Sequence, residues 1–242
     1  MKIVNIELHF FSKSIWNISQ TDAMHLMQSL FDLNLFPAQT KEKTTSGTLV
    51  DIYSFNNQKE GLSLVIGTER ITITKSLNPV GEDSTPFESL EEKLEELNQW
   101  AYDVLSRLVN LKGDVIFYRL STVAKALEIE RSDALIHHIS TDLLHTLPWD
   151  VSNPKEVNIR TCTEKEISES EAVNCIVAIN NAVLDLNIDG ALTTQPCLAF
   201  EIDVNTIPEK NKPRFDLTAS MSLHQKINAS VAEFKNSILR LL

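Results

Sequence analysis

His138, Asp142 and His145 are spaced by four and by three. On a helix that spacing brings all three to one face. Two neutral imidazoles and a carboxylate so placed could ligate zinc or iron, and they are the metal candidates of this chain. The same helix sets Ile136, Ile139, Leu143 and Leu147 roughly opposite, so a solvated face with an ordinary His–Asp pair is the simpler account. A second group is acidic: Asp185, Asp189, Glu201 and Asp203. Glu201 and Asp203 alternate along a strand and share one face. Carboxylates in such a group could hold magnesium or calcium, and the competing account is the wet side of an amphipathic sheet. Glu209-Lys210 follows Pro208, which puts this acid and lysine in a loop and not in the strand-borne E-x-K pattern of nucleases.

Cys162, Cys175 and Cys197 have no CxxC spacing, and an odd, sparse set is neither a disulfide framework nor a zinc knuckle. All three lie in apolar, strand-like stretches and read as buried small hydrophobes in a reduced cytoplasm. His224 borders the apolar stripe of the last helix and reads as a satisfied structural histidine. With only 6 glycines the chain has no GxGxxG, GxxxxGK[ST] or GxSxG loop. No catalytic residue and no cofactor follows from these patterns.

The elements that must position these groups follow from hydrophobic period and punctuation. Ile3–Phe11 alternates as a first strand. Ser19-Gln20-Thr21-Asp22 opens a helix reaching about Asn34 that buries Met27, Leu30 and Phe31. Pro37–Gly47 reads as a polar loop and Leu49–Phe55 as a strand. Leu62–Ile66 and Arg70–Thr74 form a hairpin around Gly67-Thr68. Phe87, Leu90, Leu94, Leu97, Ala101, Val104 and Leu108 recur at helical spacing. The glutamates of that helix, Glu88, Glu91, Glu92, Glu95 and Glu96, read as a solvated face.

After Gly113 the order repeats: a strand at Val115–Leu120, a helix opened by Ser132-Asp133 and ended by Pro148, and strands at Glu156–Cys162, Val173–Leu184 and Cys197–Val204. A final helix over about Ser220–Leu241 carries the stripe Leu223, Ile227, Val231, Phe234, Ile238 and Leu241. On that stripe Phe234 is expected to be buried, while Glu233 and Lys235 point away. The expected fold is therefore α+β with two similar lobes, 1–112 and 113–242. Each runs strand, helix, three strands, helix, with an antiparallel sheet packed on a long helix. Helix-grip and TATA-binding-protein-like folds share that order, and a single mixed α+β sheet is the alternative.

Charge limits the partners. The 242 residues carry a net charge of −11, spread evenly over both halves, which repels phosphate backbones and makes non-specific nucleic-acid binding unlikely. Trp16, Trp100 and Trp149 are dispersed, without the aromatic–basic interleaving of single-strand binders. No stretch is long and apolar enough to span a bilayer, and Met1–Glu7 reads as a strand and not as a signal peptide.

Leu198-Ala199-Phe200-Glu201-Ile202-Asp203-Val204, then Leu223-His224-Gln225-Lys226-Ile227-Asn228 and Glu233-Phe234, resemble the C-terminal signature of an uncharacterised bacterial family of sporadically distributed proteins. In that family a strand ending in Asp precedes a helix bearing Leu-His and, later, Phe. Val115–Leu120 stands where the family has an Arg-containing strand, without its usual Gly and Asn. The resemblance implies a patchy, mobile-element-like distribution. It implies no activity and carries over no functional residue.

The expected function is a non-enzymatic, cytoplasmic interaction component of a bacterial complex, acting with a protein partner or as a homo-oligomer and linked to mobile-element or antiviral-defence genes. The alternatives are a helix-grip binder of a small ligand and an enzyme with a carboxylate metal site.

Overall fold

A computed structural model describes residues 1–12, 18–44, 47–113, 115–130, 132–139, 158–188, 191–207 and 212–241. Within them the chain is α+β. It runs through β1 (Lys2–Phe11), α1 (Gln20–Ser29), β2 (Phe36–Lys43), β3 (Leu49–Asn57), β4 (Leu62–Ile66), β5 (Arg70–Ser76) and α2 (Leu90–Lys112). It continues through β6 (Arg119–Glu128), α3 (Ser132–His138), β7 (Asn158–Ser168), β8 (Glu171–Ile188), β9 (Ala191–Thr206) and α4 (Leu217–Leu241). The strands form one open antiparallel sheet in the order β2-β3-β4-β5-β1-β6-β9-β8-β7.

Alternation dictates which face each strand buries. Ile6, Leu8 and Phe10 of β1 stand opposite Ala124, Thr122 and Leu120 of β6. Phe200, Ile202 and Val204 continue the same face on β9. Ile71 and Ile73 extend it on β5, and Leu64 and Ile66 on β4. All but Thr122, which is buried among them, belong to one core cluster, to which α2 and α4 add Leu90, Leu94, Leu97, Val104, Ile227 and Val231. The space between sheet and helices is filled: the Phe10 ring lies 4.5 Å from His224 and 5.5 Å from Phe117.

Local chemistry sets the ends of the elements. Ser19 caps α1 in a complete capping box with Asp22. The Asp22 carboxyl is lowered to about 2, chiefly by Lys112 and then by Ser19. That pair, 2.5 Å apart, ties the start of α1 to the end of α2. Gly61 adopts φ +65 in the turn before β4, where an added Cβ would stand 2.2 Å from the Ser76 carbonyl oxygen.

The structure differs from the sequence-based expectation in five places. The stretch read as a loop after Pro37 is the edge strand β2, so four strands and not three follow α1. Its residues are nearly all exposed, and without a buried side it shows no apolar alternation. Lys41, Lys43 and Pro37 suit an edge that must not recruit another strand. The strand read at Val115–Leu120 begins only at Arg119 and runs to Glu128. Phe31 is 78% exposed because α1 ends at Ser29 and a tight 3-10 turn swings it outward, while Leu30 is fully buried. Cys162 is exposed on the edge strand β7. Phe234 is half-buried against the core, whereas Lys235 is 4% exposed.

Lys235 is buried because α4 crosses the start of α2. Its ammonium donates to the Glu88 carbonyl at 3.2 Å and pairs with the Glu91 carboxylate. Lys235→Ala is therefore expected to destabilise the fold by roughly 1–3 kcal/mol, less than a fully buried pair because Glu91 stays partly wet. Lys235→Met, which keeps the packed stem, should lose about half as much. Urea midpoints of the two variants check this, and a midpoint unchanged in Lys235→Ala would contradict it.

Candidate interaction site

Two long helices lie side by side on the sheet. The apolar stripe of α2 faces the strands, and so does that of α4. A second stripe on each helix, overlapping the first at Leu94, flanks a cleft of about 570 Å³ between the two helices. On α2 it consists of Glu91, Leu94, Glu95, Asn98, Gln99 and Tyr102. On α4 it consists of Met221, Gln225, Asn228, Ala229 and Ala232.

The floor is mixed. Leu94 and Met221 are buried, and Tyr102 is 45% exposed at one end. Asn228 accepts a hydrogen bond at 2.9 Å from Thr122, which reaches through from β6. Asn98 is 8% exposed, and its Oδ1 is buried without a hydrogen-bond partner. An unsatisfied buried amide of this kind costs about 1–3 kcal/mol. The four glutamates of α2 and Glu88 in the turn before it are exposed, as expected of a solvated face. Lys93 pairs with Glu92 and Glu96, and Lys235 with Glu91.

The opposite face of the central strands carries a polar lattice. His9 Nε2 lies 3.1 Å from Glu7, and its Nδ1 lies 3.1 Å from the Thr72 hydroxyl. Asn5 donates to Glu7 at 2.6 Å. Lys125 stands 3.8 Å from Glu7 and 3.6 Å from Glu201. Ser121 donates to Asp203 at 2.8 Å, and Asn205 donates to it at 3.1 Å. Arg119 donates to Asn205 and stacks on Phe11 at 5.0 Å. The hydrogen bond from His9 holds the Glu7 carboxyl below its ordinary range, against the opposing effect of burial. Both His9 nitrogens are occupied and Ser121 is committed to Asp203. These groups act as cross-strand ties that fix register, the Thr72 hydroxyl paired with the His9 imidazole among them.

The candidates from sequence fall as follows. Glu201 and Asp203 share a face of β9 and belong to the lattice. Asp185 pairs with Thr194 far along the β8–β9 ribbon, whereas Asp203 pairs with Ile176, so the two are ~30 Å apart by strand rise. Asp189 lies outside the described residues. His138 is exposed at the end of α3, and Asp142 and His145 lie outside the described residues. Among the described residues no three His, Cys, Asp or Glu side chains converge on a point that could hold a metal. Also among them, no helix is long and apolar enough to cross a membrane.

Cys175 and Cys197 are buried, and burial pushes the Cys175 thiol up to about 11 and raises that of Cys197. A thiol reagent at neutral pH should therefore label Cys162 rapidly, with Cys175 and Cys197 reacting only on unfolding. Fast labelling of either buried thiol in the native chain would contradict their placement.

Sequence reasoning missed Glu7, His9, Ser121 and Lys125 as a group. The signal was the period-two placement of Glu7 and His9 on β1, but their partners arrive from other strands, Thr72 63 residues on in β5 and Lys125 farther still on β6. The cleft was missed because its residues look like the polar side of two amphipathic helices. No protein-family model matches the chain, and among curated proteins none is significantly similar to it.

Proposed function

We propose that this chain is a non-enzymatic interaction module working inside a cytoplasmic bacterial complex, built as two similar lobes related by a pseudo-repeat. The observation that carries the functional reading is the second stripe on α2 and α4. Among the described residues the two longest helices line one cleft over matching lengths, with a buried amide left unsatisfied between them. Surfaces of that kind are completed by a partner.

The two-lobed reading is supported by connectivity. The first strands of the halves, β1 and β6, are neighbours at the sheet centre, and the last strands, β5 and β9, flank them. Each last strand leads towards a long helix, and the two helices pack together as a repeat of the helix-grip or TATA-binding-protein kind requires. The resemblance to a sporadically distributed bacterial family favours a role among mobile-element or phage-defence genes.

The test is the mass of the untagged protein isolated from its own cells. A complex well above the 27.3 kDa of one chain is expected. Elution as a lone chain at native abundance would contradict the proposal.

A further inference from the structure

We propose that the cleft between α2 and α4 seats a helix of a protein partner, basic on its flanks and carrying small or aliphatic residues along its contact ridge. This rests on the interaction-module reading and narrows it to one occupant.

The shape argues for a helix. The lining positions on α2 advance by three and four from Glu91 to Tyr102, and those on α4 do the same from Gln225 to Ala232, with Met221 one turn before. Each stripe is about 16 Å long, roughly three turns. Parallel helical ridges with a trough between them are the seat a third helix packs into. Ala229 and Ala232 keep the α4 side of the trough low, so a partner backbone can approach closely.

The chemistry argues for basic flanks. Glu95 is exposed on the lip and has no ion-pair partner among the described residues, and Glu92 and Glu96 of α2 and Glu88 of the turn before it surround it. The Asn98 amide, buried and short of a partner, lines the floor and is completed by a polar side chain from the incoming helix. The overall charge of −11 selects a cationic segment and disfavours a phosphate-bearing one.

The experiment pans a displayed library of random 18-residue peptides against the full chain and measures the enriched sequences by fluorescence anisotropy. Enriched peptides should carry apolar or small residues at i, i+3, i+4 and i+7, with Lys or Arg beside them. Their affinity should fall at least tenfold for Ala229→Lys, which fills the trough, and for Glu95→Lys. It should be unchanged for Glu69→Lys, an equal charge change elsewhere on the surface. Melting curves matching the parent chain establish that Ala229→Lys folds.

Acidic or extended consensus sequences, undiminished binding to Ala229→Lys, or no enrichment would each overturn the proposal. So would a dimer of this chain abolished by Ala229→Lys, which would assign the cleft to a second copy. A native complex that survives Ala229→Lys would remove the cleft from the interaction reading and leave that reading standing. A lone chain in its own cells would remove both.

Discussion

Phe10→Ala is expected to destabilise the protein by about 3–5 kcal/mol, the transfer loss of a buried ring plus the cavity it leaves. Phe10 is fully buried at the centre of the sheet, where β1 of the first half meets β6 of the second. Its ring touches Phe117, just before β6, and His224 of α4. Three separate segments therefore close on one side chain, and none can collapse into the void without moving a strand or a helix. For a chain of this length the loss corresponds to a fall in Tm on the order of 10 °C. Phe11→Ala is the control. Phe11 is half-buried on the opposite face and stacks under Arg119, so its loss should cost only about 1 kcal/mol. Equal Tm values for the two variants would show that the sheet does not bury the Ile6–Leu8–Phe10 face against α4.

The second large effect is a dependence on pH that runs through His224. The ring is fully buried between β1, β6 and α4, with Nδ1 3.2 Å from the Thr122 hydroxyl and Nε2 lacking a partner. Burial pushes its pKa down from 6.5 to about 3, helped by the charge of His9 and opposed by the His9 backbone. The folded protein thus holds the ring neutral where the unfolded chain would protonate it. Below pH 6.5 the unfolded state binds one proton more than the native state. Stability accordingly falls as the pH drops from 6.5 towards about 3, at up to ~1.4 kcal/mol per pH unit, and this contribution is complete above 6.5.

His224→Phe keeps the ring stacked on Phe10 and removes the titration. Urea unfolding between pH 7.5 and 4.5 should then show a shallower loss of stability in the variant, by up to about one proton's worth of slope. Parallel slopes in the two proteins would mean that the native site accepts the proton, and the buried neutral imidazole would have to be abandoned.

His224 also shows how far the chain could be read without its fold. Its place beside an apolar helical stripe was enough to mark it as structural. Its depressed pKa was not legible, because the desolvation comes from Phe10 and Thr122, which lie more than a hundred residues away. Phe234 and Lys235 show the limit of a helical wheel. The wheel gives the angle of each side chain about α4, and on that basis Phe234 should have been inside and Lys235 outside. A second helix crossing the stripe changes which angles count as inside, and the start of α2 encloses Lys235 with a carbonyl and a carboxylate to receive its charge.

Long apolar periods determined the α+β class, both long helices and the strands that bury a face, because burial of one side writes a period of 2.0 or 3.6 into the residues. The exposed edge strand β2 wrote no such period, since neither of its sides meets the core. Strand order, the lattice from Glu7 to Asp203 and the cleft between α2 and α4 were decided only by tertiary structure. Each joins residues far apart in the chain, and backbone pairing and helix packing depend on which surfaces are left to meet after the local elements have formed.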